Sequence, residues 1–303
     1  MKRREFLNGT LATSALLSVG GLSLSGFASA DRKHLTVLHT NDVHSYIDPF
    51  PGDHPKNPNM GGVARRAAII DSIRRENPNV LLLDAGDVFQ GTPYFNYYGG
   101  ELEFKLMSMM KYDLATMGNH DFDNGIEGFV TQLPHASFDF VSANYDFSKT
   151  ILEDIVKPYK IINKGGIKVG VFGLGIELAG LVDKKNYKET VYLDPVSVAQ
   201  DMTSILKKDK KCDLIICLSH LGYEYPNEPS KISDVKLAAL TTGIDLIIGG
   251  HTHTFLEKPV LVTNAAGQQV VVNQAGCYGL NMGRIDFHFD NDTKESTGRT
   301  IVV

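Results

Sequence analysis

Five stretches of the chain repeat one design, and together they leave few folds open. Each is a short apolar, β-branched run, then Gly or small polar residues, then side chains able to hold a cation. They span residues 35–44, 80–87, 114–123, 214–220 and 244–253. Runs such as Val80-Leu81-Leu82-Leu83 and Leu214-Ile215-Ile216 are apolar on both faces, which predicts strands covered on both sides. Helical spacing fills the intervals. Residues 61–75 carry Val63, Ala67, Ile70 and Ile73 on one face, and residues 101–111, 125–132, 195–208 and 233–241 read alike. Strands alternating with helices predict an α/β domain with a largely parallel sheet. From Lys258 the pattern changes to closely spaced runs at 259–263, 269–274 and 283–289, split by Asn/Gly turns; these predict an antiparallel meander.

The ligand-type residues sit where parallel strands would end. Asp42 and His44 lie in Thr40-Asn41-Asp42-Val43-His44, two apart, so in extended chain both project to one side and can reach one cation. Asp87 closes Asp84-Ala85-Gly86-Asp87, where Gly86 permits close backbone approach. In Gly118-Asn119-His120-Asp121-Phe122-Asp123 the glycine permits a tight turn, and an amide, an imidazole and two carboxylates follow. His220 ends Cys217-Leu218-Ser219-His220, and Gly250-His251-Thr252-His253 repeats the two-apart spacing with imidazoles. Open parallel sheets gather such loops at the carboxyl ends of their strands. Two carboxylates, one amide and four imidazoles, with His120 set aside, exceed the needs of one tetrahedral ion. Mixed N/O ligation suits two borderline transition metals, and two such ions about 3.5–4 Å apart suit in-line displacement at phosphorus.

Asp42-x-His44, Gly86-Asp87, Gly118-Asn119-His120-Asp121, Ser219-His220 and Gly250-His251-x-His253 resemble the calcineurin-like metallophosphoesterases. Thr40-Asn41-Asp42-Val43-His44, Gly61-Gly62-Val63-Ala64-Arg65, the Gly86–Pro93 string Gly-Asp-Val-Phe-Gln-Gly-Thr-Pro and Gly118-Asn119-His120-Asp121-Phe122-Asp123-Asn124-Gly125 resemble its 5′-nucleotidase and UDP-sugar hydrolase branch. The likeness covers residues 35–290. It implies a four-layer αββα sandwich with a dimetal site at the carboxyl ends of the strands, holding two divalent cations among Mn, Zn, Co, Fe and Mg. It also implies roles. Asp87 bridges the cations; Asp42, His44 and His253 complete one site; Asn119, His220 and His251 complete the other. His120 is not a ligand but faces the phosphoryl group, oriented by Asp123, while a metal-bound hydroxide attacks in line. In several members a glutamine stands where this chain has His253, so the preference of that site is expected to differ. Asp121 is assigned no role.

Residues 1–30 are set apart from the domain at 31–303. Lys2-Arg3-Arg4-Glu5-Phe6-Leu7, an uncharged stretch and Ala28-Ser29-Ala30 form the head, middle and exit of an export signal. The paired arginines resemble a twin-arginine signal, which carries folded proteins. Ser, Thr and Gly make the stretch a weak spanning segment, and without a cysteine it offers no lipid attachment, so a periplasmic protein without a stable membrane anchor is expected. A net charge of −5 and no basic stripe argue against a nucleic-acid polymer as partner. Cys212, Cys217 and Cys277 read as buried thiols rather than a disulfide framework.

The expected function is hydrolysis of phosphate monoesters, 5′-nucleotides or related small molecules. The same site could instead serve a phosphodiesterase, a pyrophosphohydrolase or a thiosulfohydrolase-like enzyme. It could also belong to a catalytic subunit that needs a separately encoded nucleoside-binding domain. His34, His54, His135 and His288 read as surface or packing residues, and His39 as buried. Tyr94, Tyr97 and Tyr98 read as rim or core packing, Arg65 and Arg66 as a solvated helix face, and residues 49–59, with their four prolines, as a stiff surface loop near the site.

Overall fold

A computed structural model describes residues 33–290 and 293–303; the expected export segment lies outside the described residues. The strands in chain order are β1 (Lys33–Thr40), β2 (Val80–Asp84), β3 (Leu114–Thr116), β4 (Asp139–Val141), β5 (Tyr145–Asp146), β6 (Tyr159–Lys164), β7 (Ile167–Gly175), β8 (Val191–Tyr192), β9 (Leu214–His220), β10 (Leu246–Gly249), β11 (Val260–Thr263), β12 (Gln269–Asn273), β13 (Asn281–Asp290) and β14 (Thr293–Val302). They build two six-stranded sheets, ordered β14-β13-β1-β2-β3-β4 and β11-β12-β10-β9-β7-β6. In the first sheet β1 to β4 run parallel; in the second, β7, β9, β10 and β12 do. Antiparallel strands flank each parallel set.

Apolar residues on both faces of the strands make this a four-layer αββα sandwich. Leu35, Val37, Leu81, Leu83, Leu214, Ile216, Leu246 and Ile248 form the core between the sheets. The alternate residues face outward. Leu38, Leu82 and Ala115 pack with Ile70, Phe104, Met107 and Phe129 of the helices over the first sheet. Phe172, Ile215 and Ile247 meet Ala199, Leu206 and Leu237 over the second.

The crossover helices form where the spacing predicts: Val63–Glu76, Glu101–Met109, Gly125–Gln132, Pro195–Ser204 and Asp234–Leu240. Local chemistry starts several of them. Asp194 accepts the Ser197 N–H at 2.8 Å with Pro195 in the first turn, and Ser233 caps Asp234–Leu240 through the Lys236 N–H. Each parallel set is laid down in chain order, so all ligand loops emerge at one edge. Among the described residues no helix is long and apolar enough to cross a membrane.

The meander does not form. Of the three predicted runs only β11 and β12 pair antiparallel with each other, and β12 joins the second sheet beside β10, parallel to it. The chain then crosses to the first sheet, where β13 pairs antiparallel with β1. Asn41 anchors this crossing: it accepts the Ala275 N–H at 2.8 Å and donates to the Gly276 carbonyl at 2.7 Å. The hairpin β6–β7 and strand β14 escape the pattern of five, because neither ends in ligand-type residues. All three cysteines are buried and free.

Candidate metal centre

Five of the seven expected ligands have left-handed backbone: Asp42 (φ 49°), His44 (50°), Asp87 (56°), His251 (72°) and His253 (53°). That conformation is strained for residues with a Cβ and persists only where the surroundings over-determine it. Here they do. Asp42 donates its N–H to the Gly86 carbonyl at 2.9 Å, His44 to Asp87 at 3.0 Å and Ser45 to Val88 at 2.9 Å. Asp42 and His44 therefore converge through left-handed turns, not through the extended chain that their spacing suggested. Gly118 also acts differently from expectation. Its φ is not positive; a Cβ there would stand 2.2 Å from Asp87 Oδ1, so glycine is needed for close approach of two loops.

The ligand-type side chains gather into two groups among the described residues: Asp42, His44 and His253 in one, Asp87, His220 and His251 in the other. In the first, His44 Nε2 and His253 Nε2 face each other at 3.0 Å, with Asp42 Oδ1 at 3.9 and 3.4 Å from them. In the second, Asp87 Oδ2 lies 3.1 Å from His220 Nε2, and Asn119 Oδ1 lies 2.9 Å from His251 Nδ1. The same Asp87 oxygen is 3.8 Å from His44 Nε2, so one carboxylate lies between the groups. His251 and His253, two apart in sequence, are divided between them.

The donor set fits cations. His220 donates from Nδ1 to the Ala85 carbonyl at 2.7 Å, which leaves Nε2 as a lone pair; that buried atom has no hydrogen-bond partner despite its nearness to Asp87. His44 Nδ1 likewise faces the Phe89 carbonyl at 3.2 Å, leaving Nε2 bare toward His253. Imidazole nitrogens facing the Asp87 carboxylate from both groups ask for positive charge. The buried carboxylates favour positive charge at His220 and His253, whereas burial disfavours it at His44 and His251. Burial disfavours a charged His220, yet Asp87 and then Asp42 lift it to about 10. Burial also opposes charge on His253, yet Asp42 raises it to about 10, while burial takes His251 down to about 4. Burial pushes the Asp87 carboxyl up, but His220 and His44 outweigh it and hold it well below the ordinary range.

His120 stands outside both groups. Its Nδ1 is 2.9 Å from Asp123 Oδ2, and its ring lies edge-on to His44 with centroids 5.3 Å apart. The Asp123 hydrogen bond raises its pKa against burial. Its backbone N–H donates to Asp87 Oδ1 at 2.8 Å, fixing the loop to the shared carboxylate.

Comparison with known proteins now decides the family. The family profile Calcineurin-like phosphoesterase matches residues 35–255. The chain belongs to the calcineurin-like phosphoesterases. Within that family it is 36% identical over 292 residues to a snake venom 5′-nucleotidase of Crotalus adamanteus, covering 89% of this chain and 48% of that one. The crystal structure of a 5′-nucleotidase precursor from Thermus thermophilus superposes with a TM-score of 0.80 at 35% identity, covering 89% of this chain and 54% of that one. The calcineurin-like phosphoesterase YfkN of Bacillus subtilis superposes at 0.71 and 28% identity, with 89% and 91% covered. The chain spans about half the length of the curated relatives it matches.

Two residues differ from what the sequence predicts. Asp121 is fully buried, and its carboxylate accepts four backbone N–H bonds: Gly118 at 2.8 Å, Asp87 at 3.0 Å, Val88 at 3.1 Å and Phe89 at 3.2 Å. It ties the second ligand loop of this phosphoesterase to the third. The available signal was the loop chemistry, since left-handed turns leave N–H groups in need of an acceptor. Arg65 is exposed as expected, but Arg66 is buried at 4% exposure beside Glu103, Asp84 and Tyr112, around a small cavity beneath Ser45. Arg66 falls on the same inward stripe as Ile70 and Ile73, and among the described residues its buried Nε and Nη1 have no hydrogen-bond partner. Tyr97 is not a core residue: it is 83% exposed, with its ring edge-on to Tyr98 at 4.9 Å between centroids. His34, His54, His135 and His288 lie outside both groups, and His39 is buried.

Proposed function

We propose that this protein is an exported dimetal phosphohydrolase that cleaves phosphate monoesters, 5′-nucleotides or related small molecules. The observation that carries the reading is one Asp87 oxygen lying between two convergent ligand groups, with the His120–Asp123 pair beside them. Asp87 would be shared between two cations; Asp42, His44 and His253 would help hold one, and Asn119, His220 and His251 the other. Two divalent cations held there would supply Lewis acidity toward phosphate oxygens and ionise a water near neutral pH.

The chain's own residues do the rest. His120, a proton donor with raised pKa, meets charge developing on the phosphoryl oxygens. Asp123 fixes the tautomer and direction of that ring. The buried Asp42 and the Asn41 amide at 2.7 Å from it keep the ligand oxygens from turning away. Export by the twin-arginine route, with cleavage after Ala30, belongs to the same proposal, since it would let the domain fold and load cations first. N-terminal sequencing of the exported protein tests it; a start at Met1 would refute cleavage.

Activity is tested with purified protein and Mn²⁺, Zn²⁺, Co²⁺ or Mg²⁺ on AMP, UDP-glucose, a 2′,3′-cyclic nucleotide and phenyl phosphate. Turnover of AMP and phenyl phosphate is expected. Turnover confined to UDP-glucose or the cyclic nucleotide would replace the monoester reading with a pyrophosphohydrolase or diesterase. Turnover of phenyl phosphate without AMP would favour a catalytic subunit that relies on a separately encoded nucleoside-binding domain.

A further inference from the structure

A run of three aromatic rings begins against the first ligand group, and no step of the proposed hydrolysis uses them. Tyr278 lies with its ring centroid 5.7 Å from that of His253 and 5.9 Å from that of His44. Tyr46 follows at 4.4 Å from Tyr278, and Phe50 stacks on Tyr46 at 5.0 Å with planes 17° apart. All three are only half-buried, and none belongs to the three apolar clusters that build the core. A packing role would put them in one of those clusters.

Tyr278 is also held in place at a cost. Its φ of 60° is left-handed, a rare state for a bulky aromatic residue. Its N–H donates to the carbonyl of Asp42 at 2.7 Å, so the backbone of a ligand loop sets where the ring sits. The 49–59 loop brings Phe50 to the same place, closed by Phe50 N–H to Met60 at 2.8 Å and Asn59 N–H to Phe50 at 3.1 Å. Strain, partial exposure and contact with ligand imidazoles coincide in one shelf. Strained residues of this kind cluster at sites that meet a ligand.

We propose that Tyr278, Tyr46 and Phe50 form a stacking shelf for a planar ring in the leaving group of the phosphate ester. The inference rests on the phosphomonoester reading of the site. A phosphoryl group lying between the two ligand groups has His120 on one flank of His44 and the Tyr278 ring on another. An ester carrying an aryl group or a heterocyclic base can then lay its ring on Tyr278 while the phosphorus stays at the centre. A saturated alcohol gains little there, because aromatic faces favour offset stacking of another ring. The shelf thus makes ring-bearing esters the favoured class.

The test is the ratio of phenylphosphonate to methylphosphonate affinity on the Mn²⁺-loaded full chain, measured by calorimetry. Neither phosphonate is hydrolysed, so the readout does not depend on turnover. Wild type is expected to favour the phenyl compound by about three- to tenfold, the range of one stacking contact. Tyr278→Leu should bring the ratio near one, Tyr278→Phe should restore it, and Tyr46→Leu should lower it part-way. In the same variants, kcat/KM for glycerol phosphate should stay within about twofold while KM for phenyl phosphate rises by the stacking factor. An unchanged phosphonate ratio in Tyr278→Leu, or an equal loss for both phosphonates, overturns the shelf. Absence of turnover on every phosphate ester would overturn the hydrolase reading instead, and the phosphonate ratio would still decide the shelf.

Discussion

Asn119 turns its amide oxygen to within 2.9 Å of His251, while the next residue swings its ring away toward Asp123. Two adjacent side chains so placed should respond differently to mutation. His120→Ala is expected to keep both cations by elemental analysis and to lose about 10²–10⁴-fold in kcat. Loss of metal in that variant would refute its place outside the ligand set. Asp87→Asn should weaken both sites together in a metal titration, since one oxygen of Asp87 reaches both groups. Independent loss of a single ion would contradict bridging. Asp121→Asn keeps the volume but turns an NH₂ toward backbone N–H donors. It should cost about 2–3 kcal/mol in urea unfolding and also lower metal affinity, because the Gly118 and Asp87 loops lose their common acceptor. A stability loss with unaltered metal affinity would show that Asp121 does not position the ligands.

The elements are joined by polar clamps as much as by apolar faces. Asp286 on β13 accepts from Thr36 of β1 at 2.5 Å and from Arg284 Nε at 2.7 Å, with His34 Nε2 at 3.0 Å. Burial would raise its carboxyl pKa, but Arg284, Thr36 and His34 outweigh that and hold it below the ordinary value. A depressed folded-state pKa means that the carboxylate adds stability above its unfolded pKa of about 3.9, lost as pH falls through the folded value. Asp286→Asn should therefore cost about 1–2 kcal/mol at neutral pH. The gap between wild type and variant should close as urea titrations are repeated from pH 5 down to pH 2. A gap that stays constant would mean that packing, not charge, joins β1 to β13. The crossing from β12 to β13 follows the same logic. Asn41 binds Ala275 and Gly276, so the segment that the spacing predicts as a meander turn becomes a bridge between sheets, and it delivers Tyr278 to the centre.

At the scale of the molecule, the edge where all the ligand loops meet concentrates Asp42 and Asp87 with His44, His220, His251 and His253. Cations that bind this arrangement only when it is folded must stabilise the whole domain. Mn²⁺ at a hundred times its dissociation constant should add about 2.7 kcal/mol per site, read as a rise in melting temperature that a chelator reverses. A melting temperature indifferent to metal and chelator would refute cation binding by the native state. Much of this architecture is legible in the linear chain, because its causes are local. A doubly apolar run followed by glycine and a ligand marks a buried parallel strand and its loop, and the five runs carry Asp42, His44, Asp87, Asn119, His220, His251 and His253. What the chain could not disclose depends on partners far apart in sequence. Arg66 reads as a surface cation until the fold turns it inward to line a cavity with Glu103, Asp84 and Tyr112. Asp121 reads as idle until left-handed turns more than thirty residues earlier present their N–H groups to it. The division of His251 from His253, which the family resemblance implied, follows physically from loop conformation rather than spacing. Sequence determined the five strands that lead to ligand-type residues, the crossover helices and which side chains could hold a cation, since side-chain periodicity and residue chemistry act over a few positions. Tertiary structure alone decided which sheet each late strand joins and which rings stand beside the ligand-type residues, because those outcomes rest on hydrogen bonds and burial that exist only once the two sheets meet.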